Sequence, residues 1–151
     1  MGLTSAFSQY NQCMSKVTSF LRRWGPALLM MAVIFAFSST PSNKLPNFNW
    51  ADLIVKKGGH ALGYGLLALP YLHGLKGNDH GDRSRWFYIA WVMAVLYSAT
   101  DEFHQSFVPG RHPALTDVVI DAIGAALMLL LVNQYRKKTT SGTSWSQASK
   151  H

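Results

Sequence analysis

Asp101, Glu102, His104, Gln105 and Arg111 crowd into the stretch DEFHQSFVPGR at positions 101–111, directly after an apolar run. Carboxylates, an imidazole, an amide and a guanidinium at that density can move protons, hold a phosphate or offer oxygen ligands to a hard cation. Asp117 and Asp121 follow with i, i+4 spacing, and upstream Lys57, His60 and Tyr64 stand at i, i+3 and i+7. Ser98, then Asp101 or Glu102, then Gln105 keep the same rhythm. In a helix each set lies along one face. Four of the seven carboxylates of the chain, Asp101, Glu102, Asp117 and Asp121, therefore belong to this group.

The segments that must position these residues are four apolar blocks, at 24–38, 53–75, 86–100 and 114–132. Each approaches the length needed to cross a bilayer as a helix. The 48% apolar content and mean hydropathy of +0.05 hide this segregation, because both termini and one internal loop are polar and basic. A soluble four-helix bundle would keep a polar face on every helix, whereas residues 28–37 and 123–132 are apolar all round. The expected fold class is all-α: a polytopic membrane protein built as an antiparallel bundle of four transmembrane helices. Expected boundaries are a cytoplasmic arm at 1–21, disordered or weakly helical at the interface; a four-helix membrane domain at 22–135; and a disordered basic tail at 136–151.

A net charge of +7 and a pI near 9.8 raise the question of nucleic acid, which the placement of the basic residues answers in the negative. If four helices cross in turn, only Lys44, Lys56, Lys57 and Arg111 of the 14 Lys and Arg lie on one side. The positive-inside rule then places both termini in the cytoplasm. Trp24, Trp50 and Trp86 near the span ends fit an aromatic interfacial belt. Cys13 stands alone, so no intrachain disulfide is expected. A signal peptide is the lesser reading of the first block, because the polar segment ahead of it is long.

That topology brings the polar stripes into one leaflet. Lys57, His60 and Tyr64 lie in the outer part of the second helix, Asp101, Glu102 and Gln105 at the outer end of the third, and Asp117 and Asp121 at the start of the fourth. Charges at this depth cost several kcal/mol unless they pair or line a water-filled cavity. A binding reading lets Lys57 and Arg111, joined by His60, hold a phosphate, with Tyr64, Asp101, Gln105 and Asp117 completing the substrate-binding set. An enzymatic reading takes Glu102 or Asp121 as general base and His60 or His104 as acid in phosphoryl or acyl transfer. A metal reading gives the four carboxylates to magnesium or manganese. A structural reading pairs Lys57 with Asp121, and Arg111 with Asp101 or Glu102, merely to fix helix packing. Pro109 and Gly110 predict a type II turn that presents Arg111.

Ser38-Ser39-Thr40-Pro41, then Lys57, His60 and Tyr64, then the Asp-Glu-x-x-Gln-x-Phe-x-Pro-Gly-Arg element at 101–111 and Asp117, Asp121 and Gly124 resemble the VanZ-like family of bacterial membrane proteins. The resemblance covers about residues 30–132, and Asp121 stands where many relatives carry Asn. It implies a small multi-pass protein of the bacterial cytoplasmic (inner) membrane, in a family associated with resistance to the glycopeptide teicoplanin. It names no reaction and no cofactor. The expected partner beyond the bilayer is an anionic phospholipid or a lipid-linked wall precursor, and no nucleic acid.

Two further classes compete. A CDP-alcohol phosphotransferase would share Asp-x-x-x-Asp but needs Asp-Gly and Ala-Arg elements that this chain lacks. An ion pathway would need polar residues continuing through 125–132, where the helix is apolar. A non-enzymatic structural or regulatory protein remains the alternative, with Gly58, Gly59, Gly63, Gly65 and Gly124 permitting close helix approach.

Overall fold

The computed structural model describes residues 3–41, 51–76 and 83–148, with side chains described over 7–41, 57–76 and 84–138. The described residues form four helices and no strand: α1 (Leu3–Ser38), α2 (Ala51–Lys76), α3 (Arg83–Gln105) and α4 (Leu115–Ala148). The expected placements of Lys44 and Trp50, and most of the loop expected between the second and third apolar blocks, lie outside the described residues.

Successive helices run in opposite directions, as the contacts at their ends require. The end of α1 meets the end of α3 through Ser38 and Asp101, and the start of α2 meets the start of α4 through Lys57 and Asp117. Arg23, in the middle of α1, reaches the last carbonyls of α2. α2 is the central element, touching all three others, and its pairing with α4 is the most extensive.

Two glycines set that pairing. A Cβ on Gly124 would collide with the backbone carbonyl of Ala61, and one on Gly65 would stand 3.0 Å from the Gly124 carbonyl oxygen. The backbones of α2 and α4 therefore touch directly, the small-residue packing that suits helices in lipid. Gly58, Gly59 and Gly63 have open space around them and play no part. Sequence spacing could not distinguish the glycines that face a neighbour from those that do not.

Side-chain donors reinforce the other contacts. The Tyr97 hydroxyl donates to the carbonyl of Met31 at 2.7 Å, and the Trp91 indole to the carbonyl of Ala122 at 2.9 Å.

The distribution of polarity is inverted relative to a water-soluble bundle. Asp101, Glu102, Gln105, Asp121, Ser38 and Ser98 are buried, while Leu29, Phe37, Leu62, Leu96, Ile123 and Leu131 are exposed. Water would penalise that apolar surface by roughly 25 cal/mol per Å², so its proper solvent is apolar. α1 over Phe7–Ser38 and α4 over Leu115–Lys138 are each long and apolar enough to span a membrane, and little of either is covered by the rest of the protein.

Both flanking segments are helical, the first in keeping with the helical alternative expected for it and the second in place of the disorder expected there. α1 begins at Leu3, with Phe7, Tyr10, Met14, Val17 and Leu21 forming an exposed stripe at helical spacing. α4 continues to Ala148 through the segment expected to be disordered. Helix propagation explains both: extending an established helix needs no new nucleus, and no proline follows Pro113.

Candidate functional site

The polar residues gather at one end of the helices, where α1 and α3 finish and α2 and α4 begin. α3 ends in tightening turns, with the amides of Ser106, Phe107 and Val108 each bonded three residues back. A turn at 108–111 follows, closed by the Arg111 amide on the Val108 carbonyl at 3.1 Å, with Gly110 at φ 75°. The positive φ is the one that the Pro109-Gly110 pair predicts.

This turn brings Arg111 to the end of α1, with Glu102 still within its electrostatic reach. Its guanidinium donates to the carbonyls of Phe37 (2.9 Å) and Thr40 (3.3 Å), capping the end of α1. A cation here also offsets the partial negative charge of the helix terminus. The expected pairing of Arg111 with Asp101 or Glu102 is thus corrected, since unsatisfied helix carbonyls compete for the same donors. Arg111→Ala should lower the thermal midpoint in detergent by an amount equivalent to about 1–2 kcal/mol. An unchanged midpoint would show that the cap contributes nothing.

Glu102 is similarly engaged. Its Oε2 accepts the Ala114 amide at 3.0 Å, satisfying the backbone N–H at the residue that caps α4. In a capping box the third residue of the helix performs this task. Here Glu102 does so from another helix, leaving Asp117 in the first turn of α4 to meet Lys57 Nζ at 2.5 Å. Lys57 therefore pairs with Asp117 and not with Asp121, the partner that the structural reading gave it.

Deeper in, two carboxylates are held by hydroxyls. Asp101 Oδ2 accepts from Ser38 (2.6 Å) and from Gln105 Nε2 (3.0 Å), joining α1 to α3. Asp121 Oδ2 accepts from Ser98 at 2.6 Å, joining α4 to α3. His60 Nδ1 stands 4.0 Å from Asp121 Oδ2, beyond hydrogen-bond length, and its ring lies over Tyr64 at a centroid distance of 6.2 Å. Tyr64 in turn neighbours Tyr97. Tyr64 Oη, Asp101 Oδ1 and Asp121 Oδ1 are buried and make no hydrogen bond of ordinary geometry, with the Tyr64 hydroxyl close to the Asp101 carboxylate.

The VanZ/LLP1 family model matches residues 1–136. The chain belongs to the VanZ/LLP1 family. The match takes in the whole polar cluster and extends beyond the motifs at 30–132 on which the resemblance rests. No curated protein and no solved structure matches the chain. With two helices of spanning length and composition, this VanZ/LLP1 protein is a membrane protein.

Of the four catalytic candidates in the VanZ/LLP1 chain, the fold brings His60 and Asp121 towards each other. Glu102 holds the start of α4, and His104 is turned to α1, where Nε2 lies 3.2 Å from Ser39 Oγ and the ring packs on Phe35. Of the binding candidates, Tyr64, Asp101 and Gln105 line the buried centre, Lys57 and Asp117 form a part-exposed pair, and Arg111 caps α1. Among the described residues, no three His, Cys, Asp or Glu side chains converge as a metal site, so Asp101, Glu102, Asp117 and Asp121 are not assembled as one ligand set. They have separate partners: Asp101 and Asp121 accept from hydroxyls, Glu102 from the amide at the start of α4, and Asp117 pairs with the Lys57 ammonium.

Ser38 and Ser98 are the residues that site reasoning undervalued. Ser98 precedes Asp101 by three positions and shares its face, a signal present in the spacing. Ser38 entered the sequence argument only through the family resemblance, and only the approach of α1 to α3 makes it the partner of Asp101.

Proposed function

We propose that this VanZ/LLP1 protein is a four-span protein of the bacterial inner membrane with both termini cytoplasmic, and that its polar core receives the headgroup of an envelope lipid or lipid-linked wall precursor from the outer leaflet. The observation carrying this reading is the set of buried polar atoms that three helices contribute without a hydrogen bond of ordinary geometry: Tyr64 Oη, Asp101 Oδ1 and Asp121 Oδ1, the first of them close to the Asp101 carboxylate. A buried polar atom left unpaired costs about 1–3 kcal/mol, so a cluster serving packing alone would be expected to satisfy its members.

The open atoms also indicate what would enter. Two are carboxylate oxygens, so the guest portion is a hydrogen-bond donor, a hydroxyl or an ammonium, and the phosphate stays at the rim. Lys57 is 32% exposed there and can exchange Asp117 for a phosphate oxygen. If the site also reacts, the geometry favours Asp121 as base with His60 as its proton partner, because no other catalytic pair approaches as closely. A contribution to glycopeptide resistance would follow from withholding or altering a wall precursor.

The caps made by Arg111 and Glu102 favour a second reading, in which the charges only fix helix packing. Tyr64→Phe and Asp121→Asn separate the two. Both preserve shape, and Tyr64→Phe removes a hydroxyl that makes no hydrogen bond of ordinary geometry. Under the binding reading, each variant stays folded but loses most of the envelope lipid that co-purifies with the wild type, and teicoplanin susceptibility shifts with it. Unaltered lipid content in both variants would leave the packing reading standing.

A further inference from the structure

A second site lies at the opposite end of the helices from the polar core. There α1, α2 and α4 enclose a cleft of about 710 Å³. Its cations are Arg22, Arg23, Lys76 and Arg136, with the His73 imidazole beside them, and among the described residues no carboxylate lines it. Trp24 and Leu72 contribute apolar wall. The volume falls in the range of small-molecule sites, and clustered cations beside apolar surface suit an amphiphilic anion.

The wall between α1 and α2 is built rather than incidental. Arg23 Nε donates to the carbonyl of Gly74 and Nη2 to that of Leu75 at 3.1 Å, tying α1 to the end of α2. The Trp24 ring lies so close to Gly74 that a Cβ there would stand 2.8 Å from it. Arg23 is thereby held by the helix terminus, and Arg22, His73, Lys76 and Arg136 remain around the opening as exposed side chains.

Depth identifies the occupant. The cleft sits where the apolar stretches of α2 and α4 give way to Lys76 and Arg136 and where that of α1 begins at Trp24, which is headgroup level for a membrane helix. Leu28 and Leu29, one turn further along α1, are exposed and could accompany an acyl chain. We propose that this cleft binds the phosphate-bearing headgroup of an anionic phospholipid in the leaflet opposite the polar core. The inference rests on the membrane reading, and is independent of whether the polar core binds anything.

The test uses the full chain purified in dodecyl maltoside, with native mass spectrometry of adducts to phosphatidylglycerol, phosphatidylcholine and, separately, inorganic phosphate. Phosphatidylglycerol should bind about tenfold more than phosphatidylcholine, since each cation near a lipid phosphate contributes on the order of a few-fold in affinity. The triple variant Arg22→Gln, Lys76→Gln, Arg136→Gln should reduce that adduct about tenfold. The charge-matched variant Arg85→Gln, Lys137→Gln, Lys138→Gln should retain it.

A second measurement does not depend on the folding of any cationic variant. Brominated phosphatidylglycerol should quench the fluorescence that Trp24→Phe removes, and brominated phosphatidylcholine should quench it less. Equal quenching, equal uptake of the two lipids, inorganic phosphate bound in place of phosphatidylglycerol, or an undiminished adduct in the triple variant would each overturn the assignment.

Discussion

Gly124→Val is expected to abolish accumulation of the folded protein. The new Cβ would meet the carbonyl oxygen, carbonyl carbon and Cα of Ala61, all of them backbone atoms that cannot rotate aside. α2 and α4 would have to separate, which also undoes the approach of Gly65 to Gly124 in the most extensive helix pair of the fold. Overpacking costs about 1–3 kcal/mol even where side chains can adjust, and a backbone collision exceeds that range. Gly63→Ala is the control, because its Cβ meets nothing within 4 Å. That change should be neutral or stabilising by up to about 1 kcal/mol, the ordinary helix preference for alanine. Fluorescence-detected gel filtration of tagged variants reads both. A monodisperse Gly124→Val peak at wild-type height would refute the backbone contact.

Asp101→Ala should loosen α1 from α3. Ser38 at 2% exposure would lose its acceptor and Gln105 at 4% would keep only its longer contact to Ser38 Oγ at 3.4 Å, at about 1–3 kcal/mol for each weakened group. Against this, the variant removes the unpartnered Oδ1 of Asp101, recovering one such cost. Two losses outweigh one gain, giving a net destabilisation of about 1–3 kcal/mol. Asp101→Asn keeps a carbonyl acceptor for Ser38 and should fall between alanine and wild type. Thermal unfolding in detergent is the measurement, and a midpoint for Asp101→Ala at or above wild type would mean that the buried carboxylate is a net burden, as at an active site.

Much of the fold was legible because membrane-length apolar blocks carry a strong signal. The four helices fall where the blocks lie, and the turn at 108–111 follows from Pro109 and Gly110, whose backbone preferences are local. The helical continuation of α4 was not legible, since polar sequence without prolines is compatible with helix or coil until a neighbouring helix seeds it. At the site, helical spacing correctly grouped Lys57, His60 and Tyr64 on one face and Asp101 with Gln105 on another. It misassigned partners, because a stripe fixes which residues share a face and leaves open which stripe faces which.

The sequence by itself determined the family, the all-helical class, the inverted placement of polar and apolar residues, and the end of the helices at which the polar residues gather. These are properties of composition, period and order along the chain. Tertiary structure decided which carboxylate meets which donor: Lys57 with Asp117, Ser98 with Asp121, Ser38 with Asp101, and Arg111 and Glu102 with backbone at helix ends. The physical reason is competition. Every helix terminus presents unsatisfied carbonyls or amides that attract the same charged side chains as a ligand would, and only the distances between helices determine which demand is met.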